Sequence, residues 1–237
     1  ISCSLVGSEM CIRDRYKDLP AGMISLFQSA YNFMKQQIDG VNLSGKIVME
    51  SYINAWFFLY THQGIFDSDG RYIIVDKYPE TLAMYKALME RENYHLPILY
   101  IADSTLDLPL FPSCIDVNID FFATNEHNFY RRSFFYEELT PLLKPGAWII
   151  GTYFYFENGW RSMQKLLSQY PKCSDNNFSL QYFLKMANES GIVIDKKEIC
   201  GPSIDSGNNI GFSFHQKGEK LYLLPYTAHR ALPGRMG

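Results

Sequence analysis

No Cys-x-x-Cys pair occurs in this chain, and its five cysteines lie apart at Cys3, Cys11, Cys114, Cys173 and Cys200. That spacing excludes a disulfide framework and a cysteine-bound zinc, and the expected setting is the reducing cytoplasm. Also missing is any run of about 18 apolar residues, so neither a membrane span nor a membrane partner is expected. Positive charge is scarce: the formal net charge is −3, and Lys and Arg are scattered. The adjacent Arg131-Arg132 reads as a solvated helix face, so no nucleic-acid footprint is present. No metal-ligand spacing links His62 or His127 to each other or to a Cys. Asp67-Ser-Asp69-Gly70 lacks the later ligands of a calcium loop and reads as a turn, so no metal is expected.

One stretch carries no sign of selection for a core. Leu5 to Asp14 match the translation of a transposon-type sequencing adapter, and Arg15 fits its incomplete last codon. Residues 1–15 are therefore expected to be a non-native, adapter-derived segment, with the protein proper beginning near Tyr16.

What remains suits one α/β domain of roughly 220 residues. Apolar residues make up 47% of the chain and aromatics 16%, enough for a sizeable core. Residues 16–44 read as a helical N-terminal extension, with Met23, Leu26, Phe27, Ala30, Tyr31 and Met34 at helical period and Gly40 as the stop. Short apolar runs then alternate with amphipathic ones, the rhythm of a parallel sheet covered by helices. Strands are expected over 46–50, 72–75, 98–102, 115–122 and 148–155. Helices are expected over 54–62, 79–92, 129–143, 160–169 and 180–189. Late antiparallel strands are expected over 192–199, 212–215 and 221–224, and a disordered tail over 227–237.

Three successive strands end on an acid: Glu50, Asp76 and Asp103. In a doubly wound sheet, ligands lie across the carboxyl ends of the strands. A nucleoside presents donors at both ends, so it needs acceptors at separate fixed points. Carboxylates after the second and third strands can take ribose hydroxyls and an adenine amine.

From these residues the chain resembles the class I S-adenosylmethionine-dependent methyltransferases, over about residues 45–156. Gly45-Lys-Ile-Val-Met-Glu50 looks like the family's first strand, and Tyr72-Ile-Ile-Val-Asp76 with Pro79-Glu80 like its second. Ile101-Ala-Asp103 with Leu108-Pro109 looks like the adenine corner, and Ile115-Asp-Val-Asn-Ile119 like strand four. Leu142-Leu-Lys-Pro-Gly146 followed by Trp148-Ile-Ile150 is similar to the passage into strand five. The resemblance implies a doubly wound, mostly parallel seven-stranded sheet with antiparallel C-terminal strands, over residues 45–226. It implies S-adenosylmethionine as cofactor, held by Glu50, Tyr52, Asp76, Lys77, Asp103, Ser104 and Asp120, with Asp76 at the ribose and Asp103 at the adenine.

One motif departs from the family. Glu-x-Gly-x-Gly-x-Gly becomes Glu50-Ser-Tyr52-Ile-Asn54-Ala-Trp56. Those glycines allow positive φ and let the backbone approach the methionine end of the cofactor. Strand alternation aims at least one of the two large rings at the ligand side, which predicts a partly filled cleft and weak or absent binding. No catalytic residue stands out: Asp120-Phe-Phe-Ala replaces an Asn-Pro-Pro-Tyr signature, and His95 and His127 are candidate bases that read more readily as surface loop histidines. The resemblance thus implies a methyltransferase homologue acting on a small molecule, with weakened or lost catalysis. The alternative is a non-catalytic ligand-sensing or interaction domain of a MerR-type bacterial regulator whose DNA-binding part is missing.

Overall fold

Among the described residues, eight strands form one sheet. The computed structural model describes residues 21–53, 59, 69–91, 97–103, 106–130, 133–157, 179–204 and 220–234. After helix α1 (Ala21–Ile38), β1 (Ile47–Glu50), β2 (Arg71–Asp76), α2 (Pro79–Arg91) and β3 (Ile98–Ala102) follow. Next come β4 (Ile115–Phe121), α3 (Ala123–Tyr130), α4 (Phe135–Leu139) and β5 (Leu143–Phe156). The last described elements are α5 (Leu180–Glu189), β6 (Ile192–Lys197), β7 (Cys200–Ile204) and β8 (Lys220–Arg230). The expected helices over 54–62 and 160–169, the strand over 212–215 and the adapter-like start lie outside the described residues, except Leu59, which is helical.

The sheet order is β3-β2-β1-β4-β5-β8-β6, and β7 adds an eighth strand against β8. The first five are parallel, while β8 runs antiparallel to β5, β6 and β7. Strand alternation sorts the core into two layers. Val48, Ile74, Val117 and Ile119 meet α1 and α2 through Phe27, Ala30, Leu82 and Tyr85. Met49, Ile73, Val75 and Ile149 meet α4 and α5 through Phe135, Leu139 and Phe183. Helix α1 is an integral part of the first layer, with Phe27, Ala30 and Met34 at most 2% exposed.

Three expectations about element limits fail. The single helix over 129–143 is two shorter helices, α3 and α4, closed by a 3-10 turn at Thr140–Leu142. Strand β5 also starts at Leu143 and runs through Pro145-Gly146 instead of after it. The ladder passes from Ile115↔Leu143 to Val117↔Trp148, so the extra residues form a bulge, and Gly146 supplies its positive φ of 76°. At the far end, β8 continues past residue 226 to Arg230, so residues 227–230 belong to the sheet and not to a tail. Pro225 hides that continuation. Its carbonyl accepts Glu198 N–H at 3.0 Å, so its nitrogen faces the same side, where β8 passes from β6 to β7 and needs no donor.

Candidate cofactor crevice

Chain order reverses between β1 and β4, which are neighbours in the sheet. Such a switch point leaves a crevice at the carboxyl ends of the strands. The chain leaving β1 keeps both neighbours for three more residues: Ser51 N–H donates to Ile119 O at 3.1 Å and Ile53 N–H to Val75 O at 3.2 Å. Between them, Tyr52 adopts φ 45°, the left-handed conformation expected of the glycine it replaces. That turn breaks strict alternation. Ser51 points to the α4–α5 face, where its hydroxyl donates to Asn118 Oδ1 at 2.7 Å, and the Tyr52 ring lands on the same face. There it lies 6.2 Å from the ring of Phe135 and 6.0 Å from that of His127, only 2% exposed. Asn54 and Trp56 lie outside the described residues.

Glu50 and Asp120 point to opposite faces. Glu50 is in register with Ile119, so Asp120, the next residue, faces the other way. Buried Glu50 accepts Leu59 N–H at 3.2 Å and the Tyr85 hydroxyl at 3.4 Å, on the α2 side. Asp120 is fully buried on the α4–α5 side. Its Oδ1 accepts Thr124 N–H at 2.9 Å, and Oδ2 meets the hydroxyls of Tyr136 at 2.9 Å, Tyr226 at 2.7 Å and Thr124. Burial pushes its carboxyl above the usual range, although those hydrogen bonds act the other way. Burial and the neighbouring Asp120 charge likewise raise both tyrosines well above 10. Asp120 is thus held by hydrogen bonds on the α4–α5 face of the sheet, opposite to Glu50.

Asp76 and Asp103 stand side by side at the crevice. Asp76 is buried, and its Oδ1 accepts Tyr78 N–H at 2.8 Å, which fixes the carboxylate at the end of β2. Asp103 N–H donates to Asp76 O at 3.0 Å, so the ends of β2 and β3 are locked together. Lys77 turns the other way, forming an ion pair with Glu126 of α3 while its ammonium lies 4.8 Å from the Tyr78 ring centre.

No family model and no curated protein matches the chain in sequence. Its architecture does have counterparts. A protein from Galdieria sulphuraria assigned as a sarcosine dimethylglycine methyltransferase aligns at TM-score 0.61 and 13% identity, covering 86% of each chain. Geranyl diphosphate C-methyltransferase from Streptomyces coelicolor A3(2), in complex with S-adenosyl-L-homocysteine, aligns at 0.57 and 11%, covering 87% of this chain and 81% of its own. The chain has the fold of these methyltransferases. The same architecture also carries a [4+2]-cyclase, SpnF, at TM-score 0.58 and 11% identity, over 86% of this chain and 82% of that one. The methyltransferase fold alone therefore fixes no reaction.

Within this fold, Glu50, Tyr52, Asp76, Lys77 and Asp103 gather around the carboxyl ends of β1 to β3. Ser104 lies outside the described residues, as does His95. His127 differs from its surface-loop expectation: it sits in α3 with a buried side chain. Its Nε2 lies 3.5 Å from Glu138 Oε2 and 3.4 Å from Ser133 Oγ, and its ring packs edge-on against Phe135. The missed signal was the helix start. A helix opening at Ala123 puts Ala123 and His127 one turn apart on one face, towards the sheet.

Proposed function

We propose that the crevice binds S-adenosylmethionine by its nucleoside end and that the domain methylates a small molecule. The observation that carries this reading is the Asp76–Asp103 pair, two carboxyl groups held at adjacent strand ends by the 3.0 Å bond between their backbones. Asp76 would accept the ribose hydroxyls and Asp103 the adenine amine, the two separated acceptors a nucleoside requires. The left-handed backbone at Tyr52 lends support, because it sends the ring into the α4–α5 layer. S-adenosylmethionine supplies a methyl group on a cationic sulfur, which needs orientation more than a base. His127 and Tyr52, packed together between β1 and α3, would shape the methyl-facing wall.

Calorimetric titration with S-adenosylmethionine tests the binding. Asp76→Ala should weaken it about ten-fold or more, the cost of a charge-assisted hydrogen bond. No heat of binding to the unmodified domain would overturn the reading. Transfer is tested by incubation with a protein-free small-molecule extract, where S-adenosylhomocysteine should accumulate.

A further inference from the structure

A pair of opposite charges spans the crevice. Lys77 follows the last residue of β2, and Glu126 lies in α3, just beyond β4. Because β1 sits between β2 and β4, the Lys77–Glu126 ion pair passes over the carboxyl end of β1. The two side chains are 16% and 24% exposed, so they are largely withdrawn from water yet still reachable. Among the described residues, no other ion pair joins the end of β2 to α3. Lys86–Glu90 and Lys185–Glu189 sit within helices, and Lys144–Asp116 ties the amino-terminal parts of β4 and β5.

We infer that Lys77 and Glu126 form the subsite for the amino-acid end of the cofactor, an inference that rests on the reading proposed above. That end carries an α-ammonium and an α-carboxylate on one carbon. Tyr52 already has a left-handed backbone, but a backbone approach would need glycine again at the positions of Asn54 and Trp56. Side chains offer the other route. An ion pair that opens to admit a zwitterion presents an ammonium to its carboxylate and a carboxylate to its ammonium. Four alternating charges then stand where two stood, with no net charge added to a partly buried site. Each new contact is a charge-assisted hydrogen bond, the strong kind. Lys77 is one residue beyond Asp76, so its flexible stem carries the ammonium from the ribose position towards β4.

The test compares two ligands by calorimetric titration. S-adenosylhomocysteine has the amino-acid end, and 5′-methylthioadenosine lacks it. The double variant K77M/E126Q removes both charges together, so neither is left unpaired, and an unchanged melting temperature will show that the fold holds. In it, S-adenosylhomocysteine should bind about ten-fold or more weakly, while 5′-methylthioadenosine stays within about two-fold. Equal weakening of both ligands, undiminished S-adenosylhomocysteine affinity, or tighter binding of either would overturn the subsite. Failure of both ligands to bind the unmodified domain would instead remove the cofactor reading beneath it.

Discussion

Tyr226 reaches over Gly151 to donate a hydrogen bond to Asp120, hydroxyl to carboxylate, at 2.7 Å. The three residues lie in one row across the sheet: Asp120 pairs with Gly151 on β5, and Gly151 with Tyr226 on β8. A methyl group on Gly151 would stand 2.5 Å from the Tyr226 hydroxyl and 2.6 Å from its ring carbon. Gly151→Ala should therefore destabilise the domain by about 1–3 kcal/mol, the usual cost of overpacking. Chemical denaturation will measure it. Because the ring itself is in the way, the penalty should persist in a Tyr226→Phe background, and its disappearance there would contradict this geometry.

Asp120 should give stability a pH dependence of its own. Burial raises its folded carboxyl above the unfolded value of about 3.9. The folded state then holds the proton longer. Its contribution is complete below the unfolded value and is lost as pH rises through the folded one. Asp120→Asn removes the titrating group, so the loss of stability with rising pH should flatten relative to the unmodified domain. Parallel denaturation curves at several pH values would count against a raised carboxyl.

Asp116 should behave in the opposite sense. Burial pushes its carboxyl up, but the backbone N–H of Ile47 and the ammonium of Lys144 outweigh that and hold it below the usual range. Ile47 N–H donates to Oδ2 at 3.0 Å, and Lys144 Nζ to Oδ1 at 2.7 Å. Its stabilisation is present above about pH 4 and lost as pH falls through the folded value. Asp116→Asn should lower stability at neutral pH and shrink the gap to the unmodified domain in acid. A gap that widens in acid would refute the assignment.

Tyr52 sets two effects against each other. Its left-handed backbone costs about 1–2 kcal/mol, which Tyr52→Gly would relieve. Losing a buried aromatic side chain costs about 3–5 kcal/mol. Packing should win, with a net loss of about 1–4 kcal/mol in thermal or urea unfolding. A more stable glycine variant would mean that the ring contributes little to the layer it enters.

Particular residues explain how much of this was legible beforehand. Strands β1, β2 and β3 end on or beside Glu50, Asp76 and Asp103, and all three read as apolar runs that stop at polar residues, although only β1 and β2 are buried. The acidic positions of the crevice were therefore visible in the sequence. The directions of side chains were not. Asp120 faces the core because of its register with β1, which no local pattern reveals. Tyr52 escapes alternation through one dihedral angle. Strand β8 conceals itself behind Pro225, whose missing donor is harmless only where two neighbouring strands meet along its side.

Strand β8 also has a place in time. It is inserted between β5 and β6, both of which precede it in the chain. A ribosome therefore releases β5 before the strand that pairs with one of its edges, Lys220–Arg230, has emerged. During synthesis, the fourteen-residue rim of β5, rich in aromatics at Tyr153, Phe154, Tyr155 and Phe156, stays open to any passing strand. Nascent chains stalled before β8 should consequently be the most adhesive species this sequence produces, and the ones a chaperone would have to shield.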